Sequence, residues 1–171
     1  QNKKFYFIEM NTRIQVEHPI TEMITGINIV KEQIRIASGL PISVTQEQVT
    51  FKGHAFECRI NAEDPESFIP CPGLVKQFHA PGGLGVRIDS HLYSGYRVPS
   101  NYDSLVAKLI CHSEDRNSAL NRMLNALDEI VVDGIKSNIP LHRKLVRDEA
   151  FRNIDFNIHY LEQLINNKPD Q

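Results

Sequence analysis

The residues Glu9-Met10-Asn11-Thr12-Arg13-Ile14-Gln15-Val16-Glu17 carry the densest potential for chemistry in this 171-residue sequence. Every odd position is polar and able to bind, while Met10, Ile14 and Val16 are apolar. Alternate side chains of a strand share a face, so the spacing predicts one polar row of Glu9, Asn11, Arg13, Gln15 and Glu17 above an apolar layer. A solvated edge face is the competing reading, but such faces favour Lys and Thr. Here Glu and Asn offer hard oxygen ligands, and Arg with Gln offers an anion clamp. Strand neighbours two residues apart lie about 6.6–6.8 Å from each other, so Glu9 and Asn11 can bracket a Mg²⁺ pair or one shared ion. Glu9 and Glu17 are too distant to touch the same atom. The row implies an extended substrate, with metal at one end and acid-base chemistry at the other.

Other candidates are weaker on pattern alone. Arg59 stands in an otherwise apolar run, where it reads as a rim cation pairing Glu57 or Glu63. Pro81-Gly82-Gly83-Leu84-Gly85 resembles a phosphate loop only superficially. No G-K-[ST] follows, and Val86-Arg87-Ile88 looks like a strand, so a hairpin turn is expected. Seven His are scattered without metal-ligand spacing, and His18 beside Glu17 reads as a structural or orienting group rather than a ligand. Cys58, Cys71 and Cys111 are odd in number and never at C-x-x-C spacing, which predicts reduced structural thiols.

The elements that must position these groups follow from periodicity. Phe5-Tyr6-Phe7-Ile8 predicts a buried strand continuing in extended form to about Glu17, closed by Pro19. From Ile20 to Ile36 the spacing turns helical, with Gly26 between two short faces and Gly39 as a stop, which predicts two short helices or one broken one. The character changes near residues 45–52, the expected domain boundary. Strand-like runs at 54–61, 73–79, 86–90 and 105–112 are divided by Pro- and Gly-rich turns and predict antiparallel β structure. Ser113 is read as the N-cap of a helix carrying Ala119, Leu120, Met123, Leu124, Leu127 and Ile130. Asn138 opens another with Leu141, Leu145 and Val146, and Ile158, Leu161 and Leu164 mark a last one before a polar tail at 166–171. The sum is an α+β fold.

Composition bounds the partners. With 41% apolar and 23% charged residues the chain is that of an ordinary globular protein, large enough for a real core. Its net charge of −2, without a run of five like charges, argues against nucleic acid. No apolar stretch approaches the ~20 residues that span a bilayer, so no membrane association and a cytoplasmic location are expected. The sequence does not begin with Met and enters an apolar run by Phe5, so a piece of a longer protein is expected.

The stretch from Phe7 to Pro19, followed by Thr21-Glu22-Met23 and Gly26, closely resembles the C-terminal signature of biotin carboxylase, an ATP-grasp ligase. His54-Ala55-Phe56-Glu57-Cys58-Arg59-Ile60-Asn61-Ala62-Glu63-Asp64-Pro65 is similar to the opening of that family's C-terminal domain. Tyr102-Asp103-Ser104 with Lys108, and Asp133-Gly134-Ile135-Lys136 with Asn138, match two further blocks. The resemblance runs from about Phe5 to Leu164. It implies the end of an ATP-grasp domain at 1–50, followed at 51–171 by a mainly antiparallel β C-terminal domain flanked by helices.

The resemblance also implies roles. Glu9 and Asn11 correspond to ligands of Mg²⁺ (or Mn²⁺) bridging ATP phosphates, and Arg13 to the active-site arginine. Gln15 and the Val16 backbone N–H correspond to groups that help hold bicarbonate. Glu17 matches the base that deprotonates bicarbonate, and Arg59 the arginine that contacts bicarbonate and the ureido oxygen of biotin. The implied reaction turns ATP and bicarbonate into carboxyphosphate and then carboxylates biotin on a biotin carboxyl carrier protein, the first step of acetyl-CoA carboxylation to malonyl-CoA. Carboxyltransferase subunits and a homodimer are implied partners, with Arg87 matching an interface arginine and Leu84 departing from the Phe expected there. No glycine-rich nucleotide lid is found, so the chain alone is expected to be inactive. A pyruvate or other acyl-CoA carboxylase is the alternative parent. A carbamoyl phosphate synthetase is disfavoured by the Arg59 block, and a non-catalytic assembly module would require a start codon just before Gln1.

Overall fold

The computed structural model describes residues 5–166. The polar tail expected at 166–171 lies outside these residues except for Asn166, which ends the last helix. Two short helices come first, α1 (His18–Thr25) and α2 (Ile29–Ala37), separated where Gly26 adopts φ +73°. That left-handed conformation is costly for a residue with a Cβ, so the glycine stops α1. Asn28 then caps α2, its side chain accepting from the Lys31 N–H at 2.8 Å. After a 3₁₀ turn at Gln46–Gln48 the chain enters its sheets.

The main sheet contains β1 (His54–Asn61), β4 (Val86–Ser90) and β6 (Leu105–Ser113) in the antiparallel order β1-β6-β4. Two small pairs join it: β2 (Gly73–Leu74) with β5 (Arg97–Val98), and β3 (Gln77–His79) with β7 (Val131–Asp133). Helices α3 (Arg116–Glu129), α4 (Ile139–Arg147), α5 (Glu149–Arg152) and α6 (Tyr160–Asn166) complete the order. β6 is central and nearly continuous in apolar residues because both of its faces are covered. On one face Cys58 and Ile60 of β1 and Ala107, Leu109 and Cys111 of β6 meet Leu120, Met123 and Leu127 of α3 in the core. The Cys58 and Cys111 thiols are buried, and burial pushes each up to about 12, so neither is ionised.

Several expectations need correction. Phe5, Tyr6, Phe7 and Ile8 form no buried strand: they are 96%, 78%, 79% and 90% exposed, and no ladder partner exists among the described residues. β propensity alone cannot make a strand without a neighbour to hydrogen-bond. The expected apolar layer below the row also fails, since Met10 is exposed. The single strand over 73–79 is split at Val75-Lys76 because its halves pair with different strands. The loop at 81–85 is no hairpin, since β3 pairs with β7 and β4 with β6. Ser113 ends β6, and the cap of α3 is Asp115, which accepts from the Ser118 N–H at 2.9 Å. β5, β7 and α5 were too short to leave a periodic signature.

Candidate functional site

The second face of the main sheet is polar. Residues directly opposite in an antiparallel pair share a face. The register therefore gathers Glu57 and Arg59 of β1, Lys108 and Ile110 of β6, and Arg87 and Asp89 of β4 on one surface. Helix α1 packs on that surface. Glu22 of α1 takes a hydrogen bond from Arg87 at 2.6 Å, and Arg87 also binds Asp89 through two nitrogens, each at 2.8 Å. The other Glu22 oxygen accepts from the Ile29 N–H at 2.8 Å, tying α1 to the start of α2. Burial raises the Glu22 carboxyl most, but the Arg87 hydrogen bond, the Ile29 N–H and the Arg87 and His18 charges together outweigh it and leave the group below its ordinary range.

This ionic layer fixes the entry to α1. Residues 15–17 turn rather than extend: the His18 N–H donates to the Gln15 carbonyl at 3.2 Å and Ile20 to that of Glu17 at 3.1 Å. Pro19, buried just inside the helix, presets the backbone for the first turn. Glu17 occupies the N-cap position without capping. Its carboxylate instead meets the Arg59 guanidinium at 2.9 Å, across 42 residues of sequence. Both side chains remain about half exposed, at 55% for Glu17 and 51% for Arg59, so the pair borders an open surface rather than a closed cavity. The Glu17 carboxyl lies below the usual carboxylate range. Its own backbone hydrogen bond contributes most, burial opposes, and the Arg59 and Arg13 charges add to the lowering. Lys108 donates to the Val16 carbonyl at 3.2 Å while standing 3.5 Å from Asp89, which holds the backbone between Gln15 and Glu17.

Arg59, Glu17 and Val16 are thus brought together, and Arg59 pairs with neither Glu57 nor Glu63. Arg13 touches its neighbour's carbonyl, donating to Ile14 at 3.1 Å, and adds charge near Glu17. Gln15 contributes its carbonyl, which lies 2.8 Å from His18 Nδ1. Glu9 and Asn11 lie on the exposed, ladderless stretch and are not brought onto the Glu17–Arg59 pair. Their carboxylate and carboxamide oxygens are open to solvent, and such oxygens fit a hard divalent cation that completes its shell with phosphate and water. Among the described residues no group of three or more His, Cys, Asp or Glu forms a metal cluster.

Lys108 was not assigned a role by sequence pattern, although a lysine inside an apolar strand was the available signal. Glu57 is the other surprise: both its oxygens are shielded without a hydrogen-bond partner, and burial pushes its carboxyl above the usual range against the pull of Lys108 and Arg59. The remaining motif blocks interlock rather than converge on the pair. Glu63 accepts from Ser104, and Lys136 grips Asp64 at 2.7 Å. A groove of about 760 Å³ between the Asp64 turn and α4 contains none of the candidate residues.

An antiparallel sheet backed by helices thus presents an arginine and a carboxylate meeting on its polar face, an arrangement able to engage a small anion. Residues 57–163 match the biotin carboxylase C-terminal domain model, and residues 1–45 match the ATP-binding domain of the carbamoyl-phosphate synthase L chain. The chain belongs to the biotin carboxylase family. It is 66% identical over 95% of its length to a biotin carboxylase of Pseudomonas aeruginosa and 63% identical over 95% to that of Haemophilus influenzae. It spans 36% of the length of each, about a third of the curated relatives it matches. Among solved structures, it is similar to the biotin carboxylase domain dimer of the Hydrogenobacter thermophilus 2-oxoglutarate carboxylase, in complex with MgADP, ADP and bicarbonate. The TM-score is 0.90 at 46% identity, covering 96% of this chain and 37% of the other.

Proposed function

We propose that these residues supply the bicarbonate- and biotin-facing part of a biotin carboxylase active site, together with two of its metal ligands. The Glu17–Arg59 contact at 2.9 Å carries the reading, because it joins a candidate base to a candidate oxyanion binder from two separate motif blocks. In the free site these two groups neutralise each other. An arriving bicarbonate competes for Arg59 and loosens the pair, which returns basicity to Glu17. Glu17 then takes the bicarbonate proton, while Gln15 and the Val16 N–H, steadied through Lys108, orient the anion. Attack of the bicarbonate oxygen on the terminal phosphorus of ATP releases ADP and forms carboxyphosphate. In the following step the C–O bond of carboxyphosphate breaks, the released phosphate takes the N1 proton of biotin, and Arg59 binds the negative charge that develops on the ureido oxygen as N1 takes up the carboxyl group. Glu9 and Asn11 would hold Mg²⁺ or Mn²⁺, which neutralises phosphoryl charge when bound. Arg13 adds positive charge beside the same anions.

Residues 1–50 and 51–171 are proposed as the end of an ATP-grasp domain and the C-terminal domain, supported by the gap between the two family matches. The proposed setting is a cytoplasmic acetyl-CoA carboxylase serving fatty acid synthesis, as a homodimer with a carrier protein and carboxyltransferase subunits. A second reading, a carboxylase acting on a 2-oxo acid, is favoured by the similarity to the Hydrogenobacter domain. Glu17→Gln in the full-length protein tests the central claim. Turnover should fall on the order of 10²–10⁴-fold, as for loss of a positioned base, with little change in the KM for MgATP. Near-normal turnover would refute it.

A further inference from the structure

β1 is an edge strand, paired with β6 on one side only. Its register slips between Ile60 and Asn61, so that Arg59 stands opposite Lys108 and Asn61 opposite Leu105. On the open side the main-chain groups of Arg59 and Asn61 have no strand to pair with, and orphaned backbone groups beside a core are costly. The start of α4 fills the place. The Asn138 carboxamide accepts from the Asn61 N–H at 2.9 Å and donates to the Arg59 carbonyl at 3.0 Å. A carboxamide carries the donor and acceptor of a peptide group, so this one side chain replaces a residue of a missing strand. The Asn138 N–H closes on the Asn61 carbonyl at 3.2 Å. One turn on, His142 Nε2 lies 2.8 Å from the same Arg59 carbonyl. Burial keeps the His142 ring below its usual range, so its neutral tautomer with hydrogen on Nε2 is the donor. Asn138 is only 7% exposed and holds the N-cap position of α4, yet it does not cap that helix. Its hydrogen-bonding capacity is committed to β1.

Resting on the role proposed above for Arg59, we infer that Asn138, assisted by His142, is a positioning residue for the Arg59 guanidinium. Two donors converge on the Arg59 carbonyl at the point where the ladder becomes irregular, and the side chain leaves that same residue toward Glu17. Releasing this main chain displaces the guanidinium at the end of a long side chain. A displacement of about 1 Å at a reacting group can cost on the order of 10²-fold in rate.

The experiment uses the full-length protein and four readouts: kcat/KM for biotin carboxylation, KM for MgATP, biotin-independent ATP cleavage and melting temperature. Asn138→Ala should lower kcat/KM for biotin about 10- to 100-fold while ATP cleavage and the KM for MgATP change less than about twofold. Combined with Arg59→Ala, it should cause no loss beyond that of Arg59→Ala alone, because both act through one group. Equal losses in both reactions, or additive losses in the double variant, overturn the inference. If Arg59→Ala is itself harmless, the reading of Arg59 fails and takes the inference with it. If Arg59→Ala is damaging but folded Asn138→Ala is not, only the positioning role fails. Should Asn138→Ala not fold, His142→Leu and His142→Gln decide. The glutamine retains a donor and should keep activity, the leucine should lose it, and identical behaviour overturns the inference.

Discussion

At the scale of single residues, the Glu17–Arg59 pair ties stability and chemistry to pH. A carboxyl whose folded-state pKa is depressed contributes stability above its ordinary value of 4.5 and loses it as pH falls through the folded value. The contribution of Glu17 to the melting temperature should therefore hold steady above about pH 5 and decline below it, and Glu17→Gln should flatten that part of the acid decline. Arg59→Ala in the full-length protein should slow biotin carboxylation by about 10²–10³-fold, more than any biotin-independent ATP cleavage, as expected for loss of one oxyanion stabiliser. Steady-state kinetics of the two reactions check this, and equal losses would mean that Arg59 acts in bicarbonate activation alone and not on the ureido oxygen. Glu9→Gln should instead raise the Mg²⁺ concentration needed for half-maximal rate. A titration of rate against Mg²⁺ distinguishes the metal end from the base end.

At the scale of elements, the site depends on the β1-β6-β4 sheet staying rigid between α3 and α1. Leu120 is fully buried in the face that α3 presents to β6, so Leu120→Ala should cost about 2–5 kcal/mol in denaturant unfolding. Gly53, at φ +67°, passes so close to the end of β6 that a Cβ would collide with the Ser113 carbonyl. That approach requires glycine and lets the chain enter β1 alongside its partner. Glu57 tests the polar face from the opposite direction. Its raised folded-state pKa means that ionisation opposes folding, a cost that appears as pH rises through 4.5 and persists above the folded value. Glu57→Gln should accordingly raise the melting temperature at about pH 7.5 more than at about pH 4. An unchanged difference between the two would mean that Glu57 is not desolvated.

At the scale of the whole molecule, stability is unevenly distributed. β6 is buried on both faces, whereas residues 5–13 have no ladder and carry exposed Phe5, Tyr6, Phe7, Ile8 and Met10. Amide hydrogen exchange should therefore be fastest in the first stretch and slowest in β6. The exposed apolar run also has no counterpart to pack against among the described residues. The chain covers 36% of the length of its biotin carboxylase relatives, and the 171 residues alone should show no bicarbonate- and biotin-dependent ATP cleavage. Turnover by the purified chain, free of host enzyme, would overturn that expectation.

Much of the fold was legible because its signals are local. The limits of β1 and β4, the break between α1 and α2 at Gly26 and the apolar face of α3 follow from periodicity, glycine and proline chemistry within a few residues. The same local reading failed for Phe5–Ile8 and for 73–79, because whether a run becomes a strand, and with which partner, depends on residues far away in sequence. The candidate site divides in the same way. Glu17 and Arg59 were singled out by residue type and by resemblance, but the pattern alone paired Arg59 with Glu57 or Glu63. Only the packing of α1 against the polar face of the sheet brought Glu17 to it and left Glu57 without a partner. Sequence alone determined which groups are available and where the longer helices and the strands β1, β4 and β6 run. Tertiary structure decided which charges meet, because electrostatic contacts act over a few ångströms of space and are indifferent to separation along the chain.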